Sequence, residues 1–217
     1  MLERHIELLA TDDAAGEAPA ATRERLKGGF PPGATRRMTT LGMLVGGVLA
    51  PVDPRTEDTL VYATGYAESC ALEGFLDSFP TPSPTLFQTS IHPSAVQQVM
   101  IGRQTPFREF LPLSGGRLLA FHALRACLLA PSERAVLCGG EERGAWLLEH
   151  GLASSRTFAF AAALTRPEAP GHVGRVRLSA AEGDGALDLT SLFDLLHGRK
   201  SFHGFVAPGW RLQLEWT

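Results

Sequence analysis

The sequence predicts an α/β layered fold, a mixed sheet built around a buried central helix. Three observations carry this. Strand-like apolar runs alternate with helix-period segments through the middle of the chain. From Thr157 onward the runs read as strands joined by turns, the pattern of antiparallel neighbours. Between them, Gly116–Ala130 is apolar almost all round, the mark of a helix without a solvent face.

The elements follow in order. MLERHIELLATDD carries acids inside its apolar stretch, which excludes a secretory signal. Residues 11–35 are rich in Ala, Gly, Pro and charge, so residues 1–34 read as a partly mobile lead-in and 35–217 as a single domain. Thr35 is an N-cap candidate for a helix whose stripe is Met38, Leu41, Leu44, Val45 and Val48. Gly42, Gly46 and Gly47 weaken that helix in isolation, so a close neighbour is expected against them. DTLVYATG is a buried strand, and Tyr66–Phe79 has helical spacing. Pro80–Thr85 should be extended, and Pro93 should open a helix over SAVQQVMIG. The run Phe107–Leu113 is a strand that turns through Ser114-Gly115-Gly116 into the apolar helix. ERAVLCGGEE is a strand with a glycine turn; TFAFAAALT and HVGRVRLSA are strands separated by a turn at 166–171. LDLTSLFDLLHG is an amphipathic helix stopped by Gly198, and the alternating WRLQLEW is an edge strand.

Composition narrows the function. A chain of 217 residues with 44% hydrophobic and 20% charged residues supports a sizeable core. The net charge of −3 without any basic block excludes nucleic acid as the main partner. No apolar run approaches the ~20 residues of a membrane span. Cys70, Cys127 and Cys138 have neither disulfide-framework nor zinc spacing, so buried thiols in the cytoplasm are expected, with no metal and no cofactor.

The candidate site is the strand–turn–helix corner. Ser114 in Pro112-Leu113-Ser114-Gly115-Gly116 has three readings: a cap on the following helix, a hydrolase nucleophile, or the relic of another nucleophile. A hydrolase requires an acid and then a histidine downstream, an order supplied by Asp184, Asp188 or Asp194 with His197 or His203. His122 reads as a buried, hydrogen-bonded core histidine, and His92 as a loop anchor or helix cap. Gly139-Gly140-Glu141-Glu142 is no phosphate loop, since no Lys-Ser/Thr follows and its acids would repel phosphate.

Taken together the segments resemble a known family. Arg36-Arg37-Met38 opening a helix, LVYATGYAES, SPTLFQTSIHPSAVQQ, the Ser-Gly-Gly corner and RAVLCGGEE are similar to the N-terminal half of a β-ketoacyl synthase. The similarity points to the short synthase-like N-terminal domain family found with aryl polyene and related type II fatty-acid-like gene sets. Its "SPT-x-F-x-x-S-V-H-N" segment reads here Ser83-Pro84-Thr85, Phe87 and Ser90-Ile91-His92-Pro93, with Pro93 in place of Asn. The resemblance implies a half-thiolase-like fold, the N-terminal half of a ketosynthase. It places Ser114 where a complete synthase carries its acyl-accepting cysteine, with Leu118, Ala120 and His122 matching the helix pattern that follows. The two synthase histidines belong to a C-terminal half that this sequence does not include, and His197 and His203 match neither motif. No catalytic residue is therefore expected: Ser114 is a position-equivalent only, with Gly115, Gly116, His122 and His92 as its neighbours. The implied role is a catalytically silent, chain-length-factor-like subunit; the alternatives are a small serine hydrolase or thioesterase using Ser114, or an acyl-binding module. Its implied partner is a complete ketosynthase subunit, with acyl carrier protein and a second copy of the chain as further candidates. Leu212, Leu214, Trp216, Val99 and Met100 are expected to form part of an uncovered apolar surface.

Overall fold

The computed structural model describes residues 1–104, 106–166 and 171–217. The turn read at 166–171 lies, for its central part 167–170, outside the described residues.

The strands are β1 (Leu2–Asp13), β2 (Thr59–Thr64), β3 (Glu109–Ser114), β4 (Arg134–Glu141), β5 (Phe158–Thr165), β6 (Gly174–Ala180), β7 (Phe202–Ala207) and β8 (Trp210–Trp216). They form one sheet in the order β3-β2-β4-β5-β1-β6-β8-β7. β2 runs parallel to β3 and β4, and the remaining pairings are antiparallel, so the sheet is mixed as predicted. The helices are α1 (Pro19–Lys27), α2 (Thr40–Val52), α3 (Ser69–Leu76), α4 (Pro84–Ser90), α5 (Ser94–Arg103), α6 (Leu119–Leu129), α7 (Trp146–Glu149) and α8 (Leu189–His197). None of them is long and apolar enough to cross a membrane.

Each face of the sheet has its own core. α6 and α8 cover one face over Ile6, Val61, Leu137, Phe158 and Phe160, with Phe193 of α8 stacked 4.3 Å from Phe158. α2 covers the other over Leu60, Tyr62, Val136 and Cys138, and α5 packs on α2. Strand β5 shows how the sequence fits both layers: Phe158 and Phe160 point to the α8 side, Ala159, Ala161 and Ala163 to the α2 side. The period-two alternation thus sends bulk one way and leaves room the other. The glycines of α2 have the predicted neighbours. A Cβ on Gly42 would lie 2.7 Å from Gln98, one on Gly46 2.7 Å from the Phe30 ring, and one on Gly47 3.3 Å from Leu26.

Several expectations are corrected. Residues 1–34 contain β1, hydrogen-bonded between β5 and β6 inside the sheet, so this part is no lead-in. The charges that hid it are satisfied locally: Arg177 meets Glu3 at 2.5 Å, and Arg134 meets Glu7 at 2.8 Å. The α2 cap is Thr39, whose hydroxyl accepts from the Gly42 amide at 2.9 Å, because residues 34–37 close a 3₁₀ turn first. Pro84 opens α4 with Ser83 as its cap, so the proline run ends in a helix. The hairpin partner β7 takes the edge position and leaves β8 interior. Leu212, Leu214 and Val99 are buried and Trp216 and Met100 partly so, hence these residues form no open apolar surface.

Candidate functional site

Ser114 is the last residue of β3, an edge strand, and pairs in register with Thr64 of β2. The Gly115 amide donates to Thr64 O at 3.1 Å, which fixes the turn. Gly115 and Gly116 have φ of +71° and +87°, so two successive left-handed residues swing the chain from strand to helix. Only glycine does this without strain, which explains the Gly-Gly pair.

The corner differs from the capping reading. α6 begins at Leu119 with Leu118 as N-cap residue, and no side chain caps it. Ser114 lies exposed, too far upstream to accept from the first helical amides. His122 is also corrected: it is exposed, and so are Arg125 and Leu129 on the same stripe, while Leu119, Ala120, Ala123, Leu124, Cys127 and Leu128 face the core. Positions 122, 125, 126 and 129 follow the i, i+3, i+4, i+7 pattern of one helix face. Overall apolarity concealed it.

The hydrolase constellation is not assembled. His203 is on β7, seven strand intervals from β3, or roughly 34 Å at the usual spacing. His197 hydrogen-bonds Thr11 of β1 at 3.0 Å, four intervals from Ser114, or about 19 Å. The acids have other roles. Asp188 caps α8 by accepting from Ser191 N at 2.6 Å, Asp194 pairs with Arg156 at 2.6 Å, and Asp184 accepts from Gly185 N at 2.7 Å.

At the carboxyl ends of the parallel strands lies a set of carboxylates, Glu141 beside the corner, that the sequence reading missed. Glu141, at the end of β4, accepts from the Gly65 amide and from Thr64 Oγ1 at 3.3 Å. Burial pushes its carboxyl up to about 7, although these bonds and the Tyr66 amide pull the other way. Glu142 accepts from Leu41 N at 3.1 Å at the start of α2, and burial raises its carboxyl too. Glu68 accepts from Ala95 N at 3.1 Å at the start of α5. Glu73 takes Ala145 N at 2.8 Å and Leu147 N at 2.6 Å at the start of α7. All four bind backbone donors, and three stand where helix amides lack partners. They pin the loops at the carboxyl ends of the parallel strands. The signal was readable for Glu141: an acid that directly follows the apolar run Ala135–Gly140 of a buried strand is drawn into burial with it.

His92 is the loop anchor expected of it, with Nδ1 3.1 Å from Glu68 Oε2 and its ring stacked 5.6 Å from that of buried Tyr62. Cys127 and Cys138 are buried free thiols, and burial pushes the half-buried Cys70 up to about 12, away from thiolate chemistry. Among the described residues no cluster of His, Cys, Asp and Glu is arranged to hold a metal ion. Among the described residues no imidazole or carboxylate is hydrogen-bonded to Ser114.

Neither a scan of protein-family models nor a search of curated proteins gives a match. Solved structures do. The chain aligns over 99% of its length with 100% of a chain in the complex of a ketosynthase, ApeO, with its chain length factor, ApeC, from Xenorhabdus doucetiae, at 16% identity and TM-score 0.71. It aligns over 83% of its length with 68% of a chain of the ishigamide ketosynthase/chain length factor, at 13% identity and TM-score 0.56. A β-ketoacyl synthase from Burkholderia phymatum STM815 matches over 92% of this chain and 70% of that one, at 11% identity and TM-score 0.56. The chain therefore shares its fold, end to end, with a chain of a ketosynthase–chain length factor complex.

Proposed function

We propose that the protein is a non-catalytic, chain-length-factor-like subunit that assists a complete ketosynthase in fatty-acid- or polyene-type chain elongation. The observation that carries this is the end-to-end match with a chain of a ketosynthase–chain length factor complex. The corner adds chemical support. Condensation requires a thiolate that both attacks and leaves. Here an exposed serine occupies that position, with no imidazole or carboxylate bonded to it among the described residues. The subunit then contributes shape rather than turnover, and acyl carrier protein meets the pair through its partner. A cytoplasmic setting goes with this reading, in keeping with three free thiols.

Co-expression with a complete ketosynthase from the same source, followed by size exclusion with light scattering, tests the proposal. A stable one-to-one complex with altered product length is expected. A chain that elutes alone at micromolar concentration and leaves the ketosynthase products unchanged refutes it.

A further inference from the structure

A concavity of about 640 Å³, within the range of small-molecule sites, opens between α2, α4, α5 and the segment joining α1 to α2. None of the corner residues lines it. Its walls include Phe30 and Pro31 from that segment, Gly46 and Ala50 from α2, Gln88 from α4 and Gln97 from α5. The Phe30 ring is seated there because Gly46 has no side chain: a Cβ would lie 2.7 Å from it. Arg37, Met38, Thr85 and Thr89 also line an adjoining concavity of about 280 Å³, whose wall adds Arg23 and Arg36.

Two arginines line the larger concavity, Arg37 and Arg103, and Arg103 is paired with Asp53 at 3.2 Å. No acidic residue lines the larger concavity. Glu142, on the smaller one, is occupied by the Leu41 amide and the Thr40 hydroxyl. Arg23 donates to Met38 O at 2.9 Å and Thr35 O at 3.3 Å, and so holds the segment that carries the next two arginines. Arg36 and Arg37 are exposed and form no ion pair with any described residue. A partly apolar trough lined by no acid, with two guanidinium groups at one end that form no ion pair with a described residue, is complementary to a ligand with an apolar body and an anionic head.

We infer that this trough binds an amphipathic organic carboxylate, its apolar body along Phe30 and Ala50 and its head toward Arg36 and Arg37. The inference does not rest on the ketosynthase reading.

Titration calorimetry of the purified chain with octanoate, octanol and inorganic phosphate tests it, with Ala50→Phe and Arg37→Ala as variants. Ala50 is exposed, so a phenylalanine there fills the trough without entering the core. Saturable one-site binding of octanoate is expected, about tenfold weaker in Arg37→Ala and lost in Ala50→Phe. Octanol and phosphate should each bind at least several-fold more weakly. Equal affinity for octanol or phosphate overturns the assignment of head or body. Undiminished octanoate binding by Ala50→Phe places the ligand elsewhere, and no binding at millimolar octanoate removes the site; both overturn the inference. Matching circular dichroism spectra and melting curves separate loss of binding from loss of fold.

Discussion

Arg4 is a fully buried cation that pairs with no carboxylate among the described residues, and replacing it gives the sharpest test of how the sheet is held. Its guanidinium donates from Nη1 to Glu133 O at 2.8 Å and Leu164 O at 3.2 Å, and from Nη2 to Ala130 O and Ser132 O, both at 2.7 Å. One side chain of β1 thus fastens the loop between α6 and β4 and the end of β5. Burial, and then the nearby Arg166, pull Arg4 below the ordinary guanidinium range, so the carbonyls must stabilise the charge unaided. In Arg4→Met the volume is nearly kept and four acceptors lose this donor, although Glu133 O keeps the Arg166 amide at 3.0 Å. Each uncompensated acceptor costs about 1–3 kcal/mol. Arg166 still donates to Ala130 O at 2.7 Å, and relaxation recovers part of the rest. The net loss should be about 4 kcal/mol, close to that for breaking a buried ion pair. For a chain of this size that lowers the melting temperature by about 8–16 °C. Arg4→Lys keeps the charge but offers a point donor in place of a fork, so it should lose roughly half as much. Urea unfolding followed by circular dichroism measures both. A loss below about 1 kcal/mol in Arg4→Met would show that the four carbonyls find water or other donors and that the clamp is incidental.

Two further outcomes are expected. Because Glu141 sits near 7 in the folded chain against an ordinary 4.5, the folded state holds the extra proton between those values. Stability from this group is then greatest below about pH 4.5 and falls as pH rises through 7, by up to about 3 kcal/mol. Glu141→Gln should remove that component, so the stability difference between variant and wild type should change between pH 5 and 8; parallel pH curves would contradict the cause assigned. Ser114→Ala should alter stability by less than about 0.5 kcal/mol, since the exposed hydroxyl caps nothing. A fluorophosphonate probe should leave Ser114 unlabelled, and covalent capture there would restore the hydrolase reading.

Periodicity made much of the fold legible. The runs at Thr59–Thr64, Phe158–Thr165 and Gly174–Ala180 are strands, and the stripe through Leu41, Leu44, Val45 and Val48 is buried. The three glycines of α2 correctly implied close neighbours, because a glycine disfavoured in a helix usually marks a tight approach. β1 was hidden because its outward positions hold Glu3, His5 and Glu7, and the partners that neutralise two of these acids lie far along the chain. In α6, composition spoke for burial and only the four-position stripe revealed the exposed side. The corner's glycines were readable from turn chemistry, and the motif order from resemblance. Of the buried glutamates only Glu141 left a signal, at the end of its strand; Glu68, Glu73 and Glu142 did not, since what draws each one inward is a backbone amide that folding brings to it.

The place of β1 in the sheet also sets a timetable. Its register couples His5 to Thr165 and Leu2 to Leu178. β1 is therefore synthesised more than 140 residues before β5. At about 5–20 residues per second it waits roughly ten to thirty seconds for its neighbours. Meanwhile β2, β3 and β4 can pair among themselves, but β5 has a free flank until β1 arrives. Contacts this distant in sequence make folding slow, and the waiting strand is the segment that a chaperone or another copy of the chain would capture first.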